Sequence, residues 1–183
     1  MEEQQLIELA RAGDQSAFAQ LVDRYEKPVY HQALRLLNHP EDAADVTQEV
    51  FFKVWRALPS FQGDSSFSTW LYRLTGNAAI DLLRREKKRR GDASLDDDGQ
   101  NWEGTLSDPA PTPEQSLERQ ELREQVSAGL ARLSEEHRQV LVLREISGLS
   151  YEEIGRILDL APGTVKSRIA RARMALVRVL EGK

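Results

Sequence analysis

Apolar residues recur along this chain every three or four positions and nowhere in sustained alternation, so the pattern predicts helices and no strands. The first series is Phe18, Leu21, Val22, Tyr25, Val29, Leu34 and Leu37. It follows Asp14, whose carboxylate can accept from the open amides of a helix start, and it contains Pro28, which predicts a bend. A second helix is predicted over 40–58, with Pro40 at its first position and acids in its first turn, where the positive end of the helix favours them. Residues 59–66, with Gly63 and Asp64, read as a loop. Ser66 then caps a third helix that turns Phe67, Leu71, Leu74, Ala78 and Leu82 inward and ends in a basic run at Gly91. These three helices make a first domain.

The stretch 91–112 is rich in Gly, Asp, Ser and Pro and has no period, as expected of a flexible linker without its own core; Trp102 is its one large apolar group. Thr112 and Pro113 open another helix, and a further one follows Ser134 through Val140, Leu141, Leu143 and Ile146. The last stretch, 150–180, reads as two helices around a tight turn. Ser150 and Glu153 form a capping box, and Ile154, Ile157 and Leu158 give the first helix its apolar face. Pro162 breaks the run within 159–163, and the second helix is expected to start near Thr164.

On that second helix Val165, Ile169, Ala172 and Leu176 share one arc. The opposite arc carries Lys166, Ser167, Ala170, Arg171, Met174 and Arg178, flanked by Arg168 and Arg173. A capped scaffold helix, a Pro-Gly turn and a basic second helix make up a helix-turn-helix, whose second helix enters the DNA major groove. The alternative is an ordinary two-helix corner with a solvated basic face. The fold class is therefore all-α: two small helical domains, 1–91 and 113–183, joined by a flexible acidic linker at 92–112, with the helix-turn-helix in the C-terminal domain.

Composition narrows the function classes. With 183 residues and no cysteine, disulfides and thiolate zinc sites are excluded. His31, His39 and His137 have no ligand spacing, so no metal is expected. No apolar run nears the roughly 20 residues of a membrane span, and the N-terminus lacks a signal-peptide layout, which points to the cytoplasm. No nucleophile-base pair or Gly-rich phosphate loop is present, so neither enzymatic activity nor a cofactor is expected. The net charge of −5 hides a strong segregation. Seven cations against two acids occupy 73–90, whereas 92–118 holds eight acids and no Lys or Arg.

Two helix faces remain to be assigned. On the second helix, Phe52 falls opposite the apolar arc, among Asp45, Gln48, Glu49 and Arg56. It either packs against a neighbouring loop or anchors a protein-binding face whose acids select a basic partner. On the third helix, Trp70, Arg73, Asn77, Ile80 and Arg84 lie along one stripe. Such a stripe suits single-stranded bases, which stack on aromatics and bond to amides, unless the aromatics are core and the cations merely solvated.

Three segments, EDAADVTQEVFFKVWRAL (41–58), FQGDSSFSTWLYRLTGNAAIDLLRREKKRR (61–90) and SYEEIGRILDLAPGTVKSRIARAR (150–173), together resemble the bacterial RNA polymerase sigma factors of the extracytoplasmic-function group. The resemblance covers nearly the whole chain. It implies a chain that binds core RNA polymerase and directs promoter-specific initiation, with promoter DNA and an anti-sigma factor as further partners. Asp45, Gln48, Glu49 and Phe52 match the face that grips the clamp helices of the largest polymerase subunit. Phe61, Gln62, Gly63, Asp64, Ser65 and Ser66 match a loop that captures a flipped minus-10 base, and Asn77 borders that pocket; Trp70, Arg73 and Arg84 extend it along the helix. Lys166, Ser167, Ala170 and Arg171 match positions over the minus-35 element, with Arg168 and Arg173 toward the phosphates.

Gly76 and Ala170 depart from the family pattern, Gly76 standing where a bulkier residue is usual. The resemblance also implies a connector threaded toward the RNA exit path, where Asp96, Asp97 and Asp98 would occupy a basic channel. A stand-alone helix-turn-helix regulator with an N-terminal sensing or dimerisation domain is the alternative, and a protein-binding adaptor a third reading.

Overall fold

The computed structural model describes residues 2–91 and 113–182, and over them it is helical with no strand. The connector expected at 92–112, with Trp102, the aspartate run and the Thr112 cap, lies outside the described residues. The first bundle comprises α1 (Glu3–Arg11), α2 (Gln15–Leu37), α3 (Pro40–Ala57) and α4 (Phe67–Arg90). The second comprises α5 (Pro113–Ala131), α6 (Glu135–Leu141) with a π-turn at Val142–Ile146, α7 (Tyr151–Leu158) and α8 (Pro162–Leu180).

Helix starts follow the side-chain signals. Asp14 Oδ1 accepts from the Ala17 amide at 3.0 Å, Ser66 Oγ from Thr69 at 3.1 Å, and the Ser150–Glu153 box closes in both directions at 3.2 and 2.9 Å. Such caps contribute typically ~1 kcal/mol each. At α3 the cap is His39, whose Nδ1 faces the Asp42 amide at 3.5 Å, so Pro40 is not the only start signal there. α2 runs without interruption through Pro28. Its Leu21, Val29, Ala33 and Leu36 are fully buried, as are Val50 and Val54 of α3 and Leu71 of α4, on which α2 packs, each Leu or Val contributing roughly 1.5–3 kcal/mol by leaving water.

Three sequence expectations need correction. The first bundle has four helices rather than three, because α1 buries Leu6, Ile7 and Ala10 against α2. Its start lacks a side-chain cap and is held instead by tertiary bonds: Tyr25 donates to Glu3 Oε2 at 2.7 Å, and Arg24 lies 3.5 Å from the same oxygen. The expected loop at 59–66 is shorter, since Leu58–Ser60 form a 3-10 turn that buries Leu58. The helix-turn-helix turn comes earlier than expected: α7 ends at Asp159 in the left-handed region (φ 57°), and α8 begins at Pro162, which starts the second helix rather than stopping the first.

The two bundles also touch. α4 packs on α7, and α2 packs on α5, α6 and the π-turn.

Candidate protein and nucleic-acid interfaces

α3 turns Val46, Val50 and Val54 into the core, which leaves Asp45, Gln48 and Phe52 on the outside. Phe52 is 62% exposed, so it does not pack against a loop. The Arg56 guanidinium stands 5.7 Å over its ring, a contact worth about 0.5–1 kcal/mol at an exposed site. Glu49 is held by Lys53 Nζ at 2.6 Å. The face is thus an exposed aromatic ring bordered by Asp45, Gln48 and Glu49, with Lys53 and Arg56 paired inside it, a mixed apolar and charged surface of the kind found at protein interfaces.

The loop after the 3-10 turn is built around an aromatic cluster. Phe61 lies 4.8 Å from Trp70 and 6.0 Å from Phe67, and Phe67 meets Tyr25 edge-on at 5.4 Å. Phe61 is therefore a partly buried anchor, and one face of Trp70 is already occupied. Gln62, Gly63 and Asp64 are exposed beyond it, with Gly63 at φ +78°, a conformation that side chains rarely adopt. Ser66 is committed to capping α4, and its hydroxyl also lies 3.0 and 2.8 Å from those of Ser68 and Thr69. Ser65 donates to the Ser66 carbonyl at 3.3 Å.

Along α4 the expected stripe is only partly open. Asn77 is exposed, but Ile80 is 3% exposed and belongs to the core. Arg73 Nη1 lies 3.5 Å from Glu153 Oε1, and Arg84 Nη2 donates to the Ile157 carbonyl at 2.9 Å, so both cations reach into the second bundle. The stripe read from the helical period therefore placed Ile80 beside the open positions, whereas it is a core residue.

On α8, Val165, Ile169 and Ala172 are buried, and Lys166, Ser167, Ala170 and Arg171 stand exposed on the other side. Arg171 Nε donates back to the Ser167 carbonyl at 3.4 Å, and Ser167 Oγ to the Thr164 carbonyl at 3.0 Å. The flanking cations are paired within the bundle: Arg168 with Glu136 at 3.5 Å, and Arg173, through Nε, with Glu145 at 3.0 Å. The Glu145 carboxylate holds the Arg173 guanidinium above its ordinary pKa. Each of these guanidinium groups thus already spends part of its donor set on an acid.

Gly155 is a residue that the pattern did not single out. A Cβ there would sit 2.6 Å from the Leu160 carbonyl oxygen, whose own amide donates to the Gly155 carbonyl at 2.8 Å. Only glycine lets the turn close onto α7 this tightly, and a lone Gly inside the capped SYEEIGRIL helix was the available signal. Arg144 stiffens the same corner, donating to the Leu149 carbonyl at 2.8 Å and lying 5.0 Å over the Tyr151 ring. Among the described residues no group of His, Asp or Glu is placed to hold a metal ion, and no helix is long and apolar enough to cross a membrane.

Comparison with known proteins agrees with this layout. Residues 21–89 match the Sigma-70 region 2 family and residues 123–176 the Sigma-70 region 4 family. The ECF RNA polymerase sigma-E factor of Escherichia coli is 42% identical over 177 residues, covering 95% of this chain and 92% of that one. The RNA polymerase sigma-H factor of Pseudomonas aeruginosa is 39% identical, covering 98% and 94%. Among solved structures, the sigma factor RpoE of Bartonella quintana, in complex with the anti-sigma factor NepR, superposes with a TM-score of 0.60 at 29% identity, covering 90% of this chain and 96% of that one.

Proposed function

Since the chain belongs to the sigma-70 family, in its extracytoplasmic-function (ECF) group of RNA polymerase sigma factors, we propose that it docks on core polymerase through α3, reads duplex promoter DNA through α8, and traps unpaired bases beside α4. The division of labour follows a first domain at 1–91, a connector at 92–112 and a second domain at 113–183. The observation that carries this reading is that one chain presents two unlike outward faces: the exposed Phe52 among Asp45, Gln48 and Glu49, and the exposed Lys166–Arg171 arc of a helix-turn-helix.

In this mechanism Asp45, Gln48, Glu49 and Phe52 grip the clamp helices of the largest subunit. Lys166 and Arg171 have the length to reach base edges over the minus-35 element, with Ser167 and Ala170 at the groove floor. Arg168 and Arg173 exchange Glu136 and Glu145 for phosphates. Gln62, Gly63 and Asp64 form the rim of a pocket floored by Phe61 and Trp70, with Ser65, Ser66 and Asn77 at its border, where a flipped minus-10 base is held. Arg73 and Arg84 line the path of the strand. Holding a base outside the stack offsets an unpairing cost of about a few kcal/mol, so the open promoter is favoured without nucleotide hydrolysis.

The protein itself is a reader rather than a catalyst and works in the cytoplasm, where polymerase and promoters meet. An anti-sigma factor, the class of partner bound by the Bartonella quintana relative, is its regulator. Family membership removes the motive for a stand-alone regulator. The test is run-off transcription from a genomic library by core polymerase with and without this chain: new start sites with shared elements about minus-35 and minus-10 are expected, and an unchanged transcript set would overturn the reading.

A further inference from the structure

The base pocket assigned to the 61–66 loop is organised by a ring that hardly reaches its surface. Phe67, 3% exposed, lies 6.0 Å from Phe61 at 83° and 5.9 Å from Trp70 at 50°, so it sets the angle between the two rings that floor the pocket. Its third aromatic neighbour is Tyr25 of α2, edge-on at 5.4 Å. Contacts of this kind depend on ring orientation, because the positive edge of one ring meets the negative face of another. Whatever fixes Tyr25 therefore acts on Phe67.

Tyr25 is fixed by α1, which precedes the residues that match region 2. Its hydroxyl donates to Glu3 Oε2 at 2.7 Å. Burial and the Glu3 carboxylate both push the phenol well above its ordinary pKa, so it remains a proton donor. The same carboxylate oxygen lies 3.5 Å from Arg24 Nη1. α1 reaches the other wall of the pocket too: it packs on the 3-10 turn at Leu58–Ser60, and the Phe61 amide donates to the Leu58 carbonyl at 3.0 Å. One short helix thus buttresses both Phe67 and Phe61.

We propose that Tyr25, locked by Glu3 of α1, is a positioning residue for base capture, fixing through Phe67 the geometry in which Phe61 and Trp70 receive an unpaired base. This rests on the reading of the 61–66 loop as the base pocket. Tyr25 and Glu3 need not touch DNA, since the hydroxyl acts only through the rings. Helix α1 is then part of the strand-opening machinery as well as of the bundle core.

The experiment uses the full chain with core polymerase, on a promoter found by the run-off assay. Tyr25→Phe keeps the ring and removes the hydroxyl, whereas Glu3→Ala removes the acceptor; Glu3 is partly exposed, so its carboxylate returns to water in the first variant. Permanganate reactivity at saturating holoenzyme is expected to fall about fivefold in each, with closed-complex affinity unchanged, and to fall no further in the double variant, because both break one bond. A merely structural role would lower the urea midpoint and leave opening at saturation intact. Glu3→Gln still offers a carbonyl oxygen to the hydroxyl while losing the charge beside Arg24, and it should open like the wild type. In the free chain, the Trp70 indole N–H resonance, identified by its loss in Trp70→Phe, should shift in Tyr25→Phe and Glu3→Ala but not in Glu3→Gln.

An unmoved Trp70 resonance in Tyr25→Phe and Glu3→Ala overturns the positioning. Glu3→Gln behaving like Glu3→Ala overturns the Tyr25 lock in favour of the Arg24 ion pair. A moved resonance with undiminished opening overturns the role in base capture, and Asn77→Ala on the same promoter then separates the two ideas. If that variant loses opening, the pocket stands and only α1 is removed from it. If it opens fully, the reading of the pocket fails as well.

Discussion

Arg173 and Glu145 join the exposed side of α8 to the π-turn, with Nε 3.0 Å from Oε1 and Nη2 directed at the same oxygen. A carboxylate thus occupies the group that we assign to a promoter phosphate. Glu145→Gln should strengthen binding to duplexes of any sequence and steepen the salt dependence by roughly one released counterion. Titrations at several salt concentrations check this; an unchanged slope would remove Arg173 from the phosphate contacts.

Phe52 is the largest apolar group on the face assigned to polymerase. Its exposure means that Phe52→Ala should leave the unfolding midpoint of the free chain nearly unchanged. It should nonetheless weaken core polymerase binding by about 2 kcal/mol, the range of an interface anchor. Competition binding against the wild-type chain gives the number, and equal affinity would exclude this face.

The fit of Gly155 under the Leu160 carbonyl leaves no room for a methyl group. Gly155→Ala improves helix propensity by about 1 kcal/mol but forces backbone apart, an overpacking cost of roughly 1–3 kcal/mol. We expect net destabilisation in urea and reduced minus-35 binding. A more stable variant would show that the turn can relax.

How much of this was legible in the sequence depended on how local the cause is. Asp14, Ser66, Ser150 and Glu153 act within one turn of their own helices, and the pattern placed those starts correctly. The buried and exposed arcs of α8 likewise follow from its own period. α1 was missed because its start is held by Tyr25 and Arg24, more than twenty residues away, rather than by a cap. The engagement of Arg73 and Arg84 arises from a second bundle, which no helical wheel includes. Gly76 stood out as unusual, yet only the position of Leu143, whose Cδ2 lies 2.8 Å from where a Cβ would stand, gives it a reason.

Asn77 and the 62–64 rim should matter for opening rather than for duplex binding. Asn77→Ala, or replacing Gln62 and Asp64 with Gly, is expected to leave closed-complex affinity unchanged and lower permanganate reactivity of promoter thymines by severalfold. The base is gripped only after it leaves the stack. Full reactivity in these variants would place the pocket elsewhere.

His31 provides a pH dependence with a definite sign. Burial, aided by the nearby Arg35 and Lys27 charges, lowers its pKa from the ordinary 6.5, and its Nδ1 is buried without a partner. The unfolded chain therefore takes up a proton at a higher pH than the folded one. The stability this contributes is fully present above pH 6.5 and is lost as pH falls from there toward the folded value. Urea midpoints should drop between pH 7.5 and 5.5, and His31→Gln should flatten the drop; equal slopes would assign the acid sensitivity to other groups.

The contact of Trp70 with Phe61 has an optical consequence. The described residues hold two tryptophans, and the other, Trp55, pairs with Phe18 at 4.8 Å. Any base that enters beside Phe61 must alter the polarity and stacking around the Trp70 indole. Capture of a single-stranded minus-10 oligonucleotide by the free chain should therefore be readable as a change in intrinsic emission, in real time and without a dye, and replacing both Trp55 and Trp102 by Phe would isolate the signal at the site itself.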